Sequence, residues 1–391
     1  MQNSRTARGR KDVSKAALAL HKKLGGKVRV VPAQPVKTRD DLSLIYTPGV
    51  AAVSSLVAKN PKLARDYTIK GRTVAVVSDG SAVLGLGNIG PVGALPVMEG
   101  KCALFKAFAD VDAFPLVLDT QDPDKIIEAV MAVAPGFGGI NLEDIAAPKC
   151  FYIEDELKKR LDIPVMHDDQ HGTAIVVLAG LINAAKVLKK SLNDPNCWIV
   201  VSGVGAAGVA IMRLIKLAAP RVNIVAVDSA GVVWKGRADL NDTKKKLISD
   251  GIIFAEKGGD LSMALVDANI FIGVSKPGVV TQDMVRSMAP RPVVFAMANP
   301  TPEILPELAL EAGAAVVATG RSDYPNQVNN SLAFPGIFRG ALDNKVRMIT
   351  DAMKVKAARN LAALVKKPSA GKIIPGPFEK GVAKAVARAM R

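Results

Sequence analysis

The stretch Val200 to Val209, VVSGVGAAGV, decides the fold. Within it, Gly203-x-Gly205-x-x-Gly208 follows a β-branched run, Cys197 to Val201 (CWIVV), and precedes a helical stretch, Val209 to Leu217. Strand, glycine turn and helix in that order open a doubly wound, dinucleotide-binding sheet. The first two glycines allow a tight turn and close backbone approach to a pyrophosphate, and the third lets helix and strand pack closely. The helix start then points free amides at negative charge. Asp228 closes the next apolar run, Val222 to Val227, 20 residues beyond Gly208, where a carboxylate accepts ribose hydroxyls. Gly203, Val204, Gly205, Ala206, Ala207, Gly208 and Asp228 are the expected cofactor residues. Asp228 repels a 2′-phosphate, so NAD is expected, with NADP the alternative should Lys235 or Arg237 override it.

Downstream, Ile270 to Gly273 and Pro292 to Met297 read as further parallel strands. Upstream, Thr73 to Ser78 and Ala113 to Leu118 are short strand-like runs. They alternate with helical stretches, Gly93 to Phe108 and Asp122 to Ala134, which argues for a first α/β region. Asp12 to Leu24 has helical spacing, and the extended run Val28 to Val31 after Gly25-Gly26 reads as a strand. Thr173 to Leu188 is the longest apolar stretch; it is short for a membrane span and holds Asn183 and Lys186, so a buried helix is expected. The fold class is α/β, a Rossmann-type NAD(P)-binding domain plus an α/β substrate domain. The expected division is residues 1–165 for substrate, 166–338 for the dinucleotide, and 339–391 as helices packing back on the substrate domain, with the active site in the cleft between.

The chain has 391 residues, 49% hydrophobic and 23% charged, which excludes a disordered or coiled-coil protein. Its three cysteines, Cys102, Cys150 and Cys197, have neither a disulfide framework nor CxxC spacing, and a reducing, cytoplasmic setting is expected. Met1 to Lys15 lacks the apolar segment of a secretory signal, although its shortage of acids mildly resembles a transit peptide. The net charge of +16 sits at the ends: residues 1–40 carry +9, residues 339–391 carry +10, and the remainder carries −3. With no aromatic interleaving near these basic ends, no nucleic-acid partner is expected, and no membrane partner either.

Three acidic segments stand out: Asp110 with Asp112, Glu143-Asp144 and Asp168-Asp169. Two acidic pairs from separate loops could clamp a hard divalent cation such as Mg²⁺ or Mn²⁺, whereas each alone is more often a solvated pair or a helix cap. His167 and His171, four apart, leave a zinc-type reading open, without the HExxH pattern. A second GxGxxG, at Gly85, Gly87 and Gly90, lacks an acid-ended second strand at the right distance; it is either a loop placing backbone against a substrate or only a turn.

YTPGV from Tyr46, SDGSAVLGLGNIGPVGALPVMEGKCALFKAFADVDAFP from Ser78, GGINLEDIAAPKCF, MHDDQHGTA, SGVGAAG, MANPTPE and NNSLAFPG occur in the order seen in the malic enzymes. The chain resembles their short prokaryotic form over nearly its whole length. The resemblance implies oxidative decarboxylation of L-malate to pyruvate and CO₂ with reduction of NAD or NADP, dependent on Mg²⁺ or Mn²⁺, with decarboxylation of oxaloacetate as an accompanying activity and a homodimer as the assembly. It implies Tyr46 as general acid, Lys101 as general base and Asp168 as the partner tuning Lys101. Glu143, Asp144 and Asp169 become metal ligands, Asn299 and Asn330 contacts to substrate and nicotinamide, and Ser275 a cofactor contact. A base is required because the hydroxyl proton leaves as hydride leaves C2, and a desolvated Lys beside a metal has its pKa lowered towards neutrality. Ser81-Ala82 stands where larger relatives carry a carboxylate-binding Arg, so the Gly85 to Gly90 amides and the two asparagines are the expected substitutes. Lys106 matches a basic position of the short forms, its role open. The competing readings are a plain hydroxy-acid dehydrogenase, which needs no metal, and a basic scaffold protein without catalysis.

Overall fold

The computed structural model describes residues 3–83 and 85–391. Met1, Gln2 and Leu84 lie outside them, and with them the start of the basic Met1 to Lys15 stretch and the first leucine of LGLGNIG.

Among the described residues, ten strands form two sheets. The first is parallel, in the order β2-β1-β3-β4, from β1 Thr73–Ser78, β2 Asp112–Val117, β3 Gly139–Leu142 and β4 Val165–His167. Strand β1 is buried throughout, as a β-branched run covered on both faces should be. The second sheet has the order β10-β9-β8-β5-β6-β7, from β5 Trp198–Ser202, β6 Asn223–Asp228, β7 Gly231–Val232, β8 Ile270–Gly273, β9 Val293–Ala296 and β10 Val316–Thr319. All its pairs are parallel except β6 with β7. In each sheet the order reverses beside the first strand, between β1 and β3 and between β5 and β8. Doubly wound sheets bind ligands beyond the carboxyl ends of the strands at such points.

The helix Asp168–Leu188 links the sheets and packs on Ala206–Ala218, the helix after the glycine loop. Every residue from Ala174 to Leu181 is buried, which fits a helix apolar on all sides. Asn183 is buried in it with its amide satisfied, donating to the carbonyls of Ala362 and Ile373 at 2.8 and 2.9 Å. Near the C-terminus, Phe334–Asp343 lies on the helix Gly90–Ala109, where Phe105 meets Phe334 and Phe338 edge-on at 4.7 and 5.5 Å. The helices Asp351–Ala362 and Val382–Ala387 complete this end.

The expected strand at Val28 to Val31 does not form. After the helix Asn3–Leu24 the run is extended but joins no ladder, and Val30 and Val31 are each about three-quarters exposed. Its apolar composition finds no partner strand among the described residues. From Val13 to Arg72 no residue is buried. Two stretches are long and apolar enough to span a membrane by composition. Asp168–Leu188 is mostly buried inside the protein, while residues 39–59 break into the helices Arg39–Ile45 and Val50–Lys59.

Candidate active site

The carboxyl ends of β3 and β4 present the acidic residues. Glu143 and Asp144 follow β3, and Asp168 and Asp169 open the helix after β4. One carboxylate oxygen from each of Glu143, Asp144 and Asp169 lies within 4.8 Å of the others. One backbone and one side-chain bond hold the group together: Asp144 N–H donates to Asp169 at 2.9 Å, and the Asn141 side-chain amide donates to Glu143 at 3.0 Å. Three hard oxygen donors converging on one point fit a divalent cation and fit zinc poorly. Glu143 is almost fully buried. Burial, with Asp169, Asp168 and Asp144 adding to it against Lys101, pushes its carboxyl well above the usual range, a cost that a bound cation would relieve.

Lys101 reaches this cluster from the helix Gly90–Ala109. Its Nζ lies 2.6 Å from Asp168 and 2.7 Å from Glu143, and 4.2 Å from the centre of the Phe334 ring. The lowered Lys101 pKa expected beside a bound metal belongs to the loaded site; among the protein's own groups the direction is the opposite. Burial does push it down, but Asp168, Glu143 and Asp169 outweigh burial and raise it above the ordinary value. Burial pushes Asp168 up to about 6 against the pull of Lys101. Asn330 is close by: a Cβ on Gly172 would overlap Asp168 and come within 3.2 Å of the Asn330 Cβ.

Tyr46 is not brought into this cluster. It follows the helix Arg39–Ile45 in the unburied N-terminal segment and is 66% exposed. Among the described residues no hydrogen bond engages its hydroxyl. Asp110 and Asp112 are also elsewhere. Lys106 pairs with them at 2.5 and 3.0 Å, which accounts for that lysine as a surface ion-pair partner. The zinc reading fails because the two histidines diverge: His167, wholly buried, ends β4, while His171 lies 3.0 Å from Glu154.

The glycine loop follows β5. Gly203 has φ +109°, and a Cβ there would lie 2.5 Å from the Val274 carbonyl; one on Gly208 would overlap the Gly203 carbonyl. Gly203, Val204, Gly205, Asp228, Lys244 and Ser275 line one groove of about 580 Å³. Ala206, Ala207 and Gly208 form the first turn of the helix above it. Ser275 Oγ lies 3.0 Å from Ser202 Oγ. Asn299, beyond β9, neighbours the second glycine loop: a Cβ on Gly85 would come within 3.1 Å of its carbonyl. Gly85 therefore packs against the MANP segment.

Asp228 is engaged by Arg237 at 2.8 Å and Lys244 at 2.6 Å. Burial raises its carboxyl, but these bonds and the Ala230 amide outweigh burial and hold it below the usual range. Lys235 pairs instead with Glu256, so the second cation at the ribose end is Lys244, which the sequence reading missed. Lys244 sits among three consecutive lysines, and only its register on the helix Asp242–Ser249 distinguishes it. Glu303 was missed as well. Wholly buried, it accepts the backbone N–H groups of Ser275 and Ala298 at 2.9 Å each and so ties the loops after β8 and β9 together. Its only sequence signal is a carboxylate in an otherwise uncharged MANPTPE.

A glycine-loop groove of the dinucleotide-binding type, in a fold that also gathers a buried lysine and three convergent carboxylates, defines a dinucleotide-dependent oxidoreductase. Two family models match: "Malic enzyme, N-terminal domain" over residues 25–123 and 119–158, and "Malic enzyme, NAD binding domain" over residues 170–389. The chain is 54% identical to the bifunctional malic/malolactic enzyme of Bacillus subtilis, over 96% of this chain and 91% of that one. It is 51% identical to the NAD-dependent malic enzyme of Geobacillus stearothermophilus, over 97% and 78%. With the NADP-dependent malic enzyme of Escherichia coli it shares 49%, over 90% of this chain and 46% of that one. Among solved structures, NAD-dependent malic enzyme of Thermotoga maritima superimposes with a TM-score of 0.91 at 48% identity, covering 96% of this chain and 98% of that one. This chain belongs to the malic enzyme family.

Proposed function

We propose that the chain converts L-malate and NAD to pyruvate, CO₂ and NADH, with Lys101 as base, Tyr46 as acid and Glu143, Asp144 and Asp169 holding the metal. The observation that carries this reading is the buried Lys101 beside three convergent carboxylates. A divalent cation, when bound there, polarises the C2 oxygen of malate and cancels carboxylate charge that otherwise keeps Lys101 protonated. A dinucleotide in the groove beyond β5 supplies the hydride acceptor. Lys101 takes the C2 hydroxyl proton as the C2 hydride departs, and Asp168 holds its ammonium in place. The C3–C4 bond then breaks, releasing the carboxylate as CO₂ and leaving its electron pair in the enolate of pyruvate. Tyr46, exposed on its arm and outside the cluster in the single chain, delivers a proton to C3 only in the assembled protein, where that arm is covered. Lys101 returns its proton to Tyr46, which closes the cycle. Asn299 and Asn330 orient the substrate carboxylate and the nicotinamide.

NAD is the preferred cofactor in this reading, with NADP admitted through Lys244. The division into residues 1–165, 166–338 and 339–391 is our assignment of substrate, dinucleotide and closing segments. The working unit is a homodimer. The unburied Val13 to Arg72 segment exposes Val30, Val31, Leu44 and Tyr46, and a second copy is the cover that such an apolar arm requires. A cytoplasmic setting suits its three free cysteines.

The test is absorbance at the reduced-nicotinamide band with L-malate and Mn²⁺, using NAD and NADP in parallel, with and without EDTA, while pyruvate is measured. Metal-dependent reduction with stoichiometric pyruvate is expected. Reduction that survives chelation and yields oxaloacetate would overturn the proposal in favour of a plain dehydrogenase.

A further inference from the structure

Glu154, on the helix Lys149–Arg160, is 3% exposed, touches none of the proposed catalytic residues, and is an expensive group to bury without partners. It has four. One oxygen accepts the backbone N–H of His167 at 2.9 Å and pairs with Lys158 at 2.8 Å. The other lies 3.0 Å from His171 Nε2 and 3.4 Å from the amide nitrogen of Gln170. Three of these partners belong to the five-residue turn His167 to His171, which carries Asp168 and Asp169 between them.

That turn opens the helix Asp168–Leu188, whose N-cap, His167, makes no side-chain capping bond. In a capping box the backbone N–H of the N-cap residue is taken by a carboxylate three residues on. Here the carboxylate comes from another helix, and its negative charge also faces the positive end of the helix dipole. The gripped turn therefore has its start fixed by His167 and its far side by Gln170 and His171. What remains between is the pair of aspartates aimed at Lys101 and the cation cluster. Lys158 holds Glu154 from behind. Lys354 and Arg213, from two further helices, line the same cavity of about 220 Å³, where Lys354 is bound to Asp351 at 2.9 Å.

We propose that Glu154 is a positioning residue: by clamping His167, Gln170 and His171 it sets the angle at which Asp169 meets Glu143 and Asp144, and thereby the affinity for the divalent cation. This rests on the reading of Asp169 as a metal ligand. Outer partners of ligating groups change metal affinity by about 10- to 100-fold when removed.

The experiment is Mn²⁺ titration followed by electron paramagnetic resonance, with NAD affinity from fluorescence and thermal unfolding measured on the same full-length samples. Glu154→Gln should weaken Mn²⁺ about tenfold while NAD affinity stays as in the wild type. Glu154→Asp, which keeps the charge, should recover part of the loss. His171→Asn removes one partner only, should weaken Mn²⁺ to a lesser degree, and serves if Glu154→Gln does not fold. Asp169→Asn is the reference. Loss of Mn²⁺ binding there, with wild-type affinity in Glu154→Gln and His171→Asn, would overturn the positioning role alone. Wild-type Mn²⁺ binding in Asp169→Asn would instead overturn the metal-site reading. Parallel loss of Mn²⁺ and NAD affinity that tracks the unfolding temperature would reduce Glu154 to a structural residue.

Discussion

Lys101 Nζ lies 2.6 Å from Asp168, across 67 residues of sequence and between two different helices. The contact joins the proposed base to the turn that opens the helix after β4. It also makes the lysine and the carboxylates depend on one another, because each is buried.

Lys101→Ala should therefore have two separable effects. Malate oxidation should fall by about 10²- to 10⁴-fold, with NAD affinity retained. The protein should also lose about 3–5 kcal/mol of stability, because buried carboxylates are left without their cation. Assay with malate and Mn²⁺, together with denaturant unfolding, reads both, and wild-type turnover would remove Lys101 from the mechanism.

Tyr46→Phe should slow exchange of the pyruvate C3 protons with D₂O by about 10²-fold, while reduction of oxaloacetate largely survives. Proton NMR of pyruvate follows the first reaction and nicotinamide absorbance the second. Equal loss in both would contradict the division of labour between Tyr46 and Lys101.

Asp228→Ala frees Arg237 and Lys244. Its expected result is a rise of about tenfold in the KM for NAD, corresponding to one lost charge-assisted hydrogen bond, and a gain in kcat/KM for NADP. Lys244→Ala should instead weaken NADP. Steady-state kinetics with both cofactors decide, and unchanged cofactor ratios in both variants would count against the assignment.

Glu303→Gln should leave one of the Ser275 and Ala298 amides facing an NH₂ group, at a cost of about 1–3 kcal/mol. Burial raises the Glu303 carboxyl above its ordinary 4.5, against the bonds from those two amides. In the window above that value the native state binds more protons than the unfolded chain, so the contribution of Glu303 to stability falls as pH rises. Urea unfolding from pH 4.5 to 7 should show the wild type losing ground to the variant with rising pH. A constant gap would place the cost elsewhere.

The three thiols should be inert at neutral pH. Burial pushes Cys102 and Cys150 up to about 12 and Cys197 up to about 11, so the thiolate is scarce. Mass spectrometry after alkylation at pH 7.5 should find little modification, with Cys197 labelled first because it alone is partly exposed.

Much of the fold is legible because its signals are local. The CWIVV run, the SGVGAAG turn and Asp228 specify strand, turn, helix and second strand within about thirty residues, and each obeys a backbone rule that needs no distant partner. The acidic pairs are legible as residues but not as a cluster. Glu143, Asp144 and Asp169 converge only because β3 and β4 are neighbours in a parallel sheet, and Lys101 joins them only through the packing of a third element. The same limit explains the misses. Val28 to Val31 has the composition of a strand, yet a strand needs a partner edge, which the chain does not offer it. Lys244, Lys245 and Lys246 are alike as residues, and helix register alone decides which of them meets Asp228. Glu154 carries no signature and Glu303 only its place in the otherwise uncharged MANPTPE, because a buried carboxylate is defined by the amides and cations folded around it. The sequence by itself determined the dinucleotide loop, the elements on either side of it and the chemistry on offer. Which charges face one another was decided by tertiary structure, since electrostatic pairing depends on distance in space and its partners here come from segments far apart in the chain.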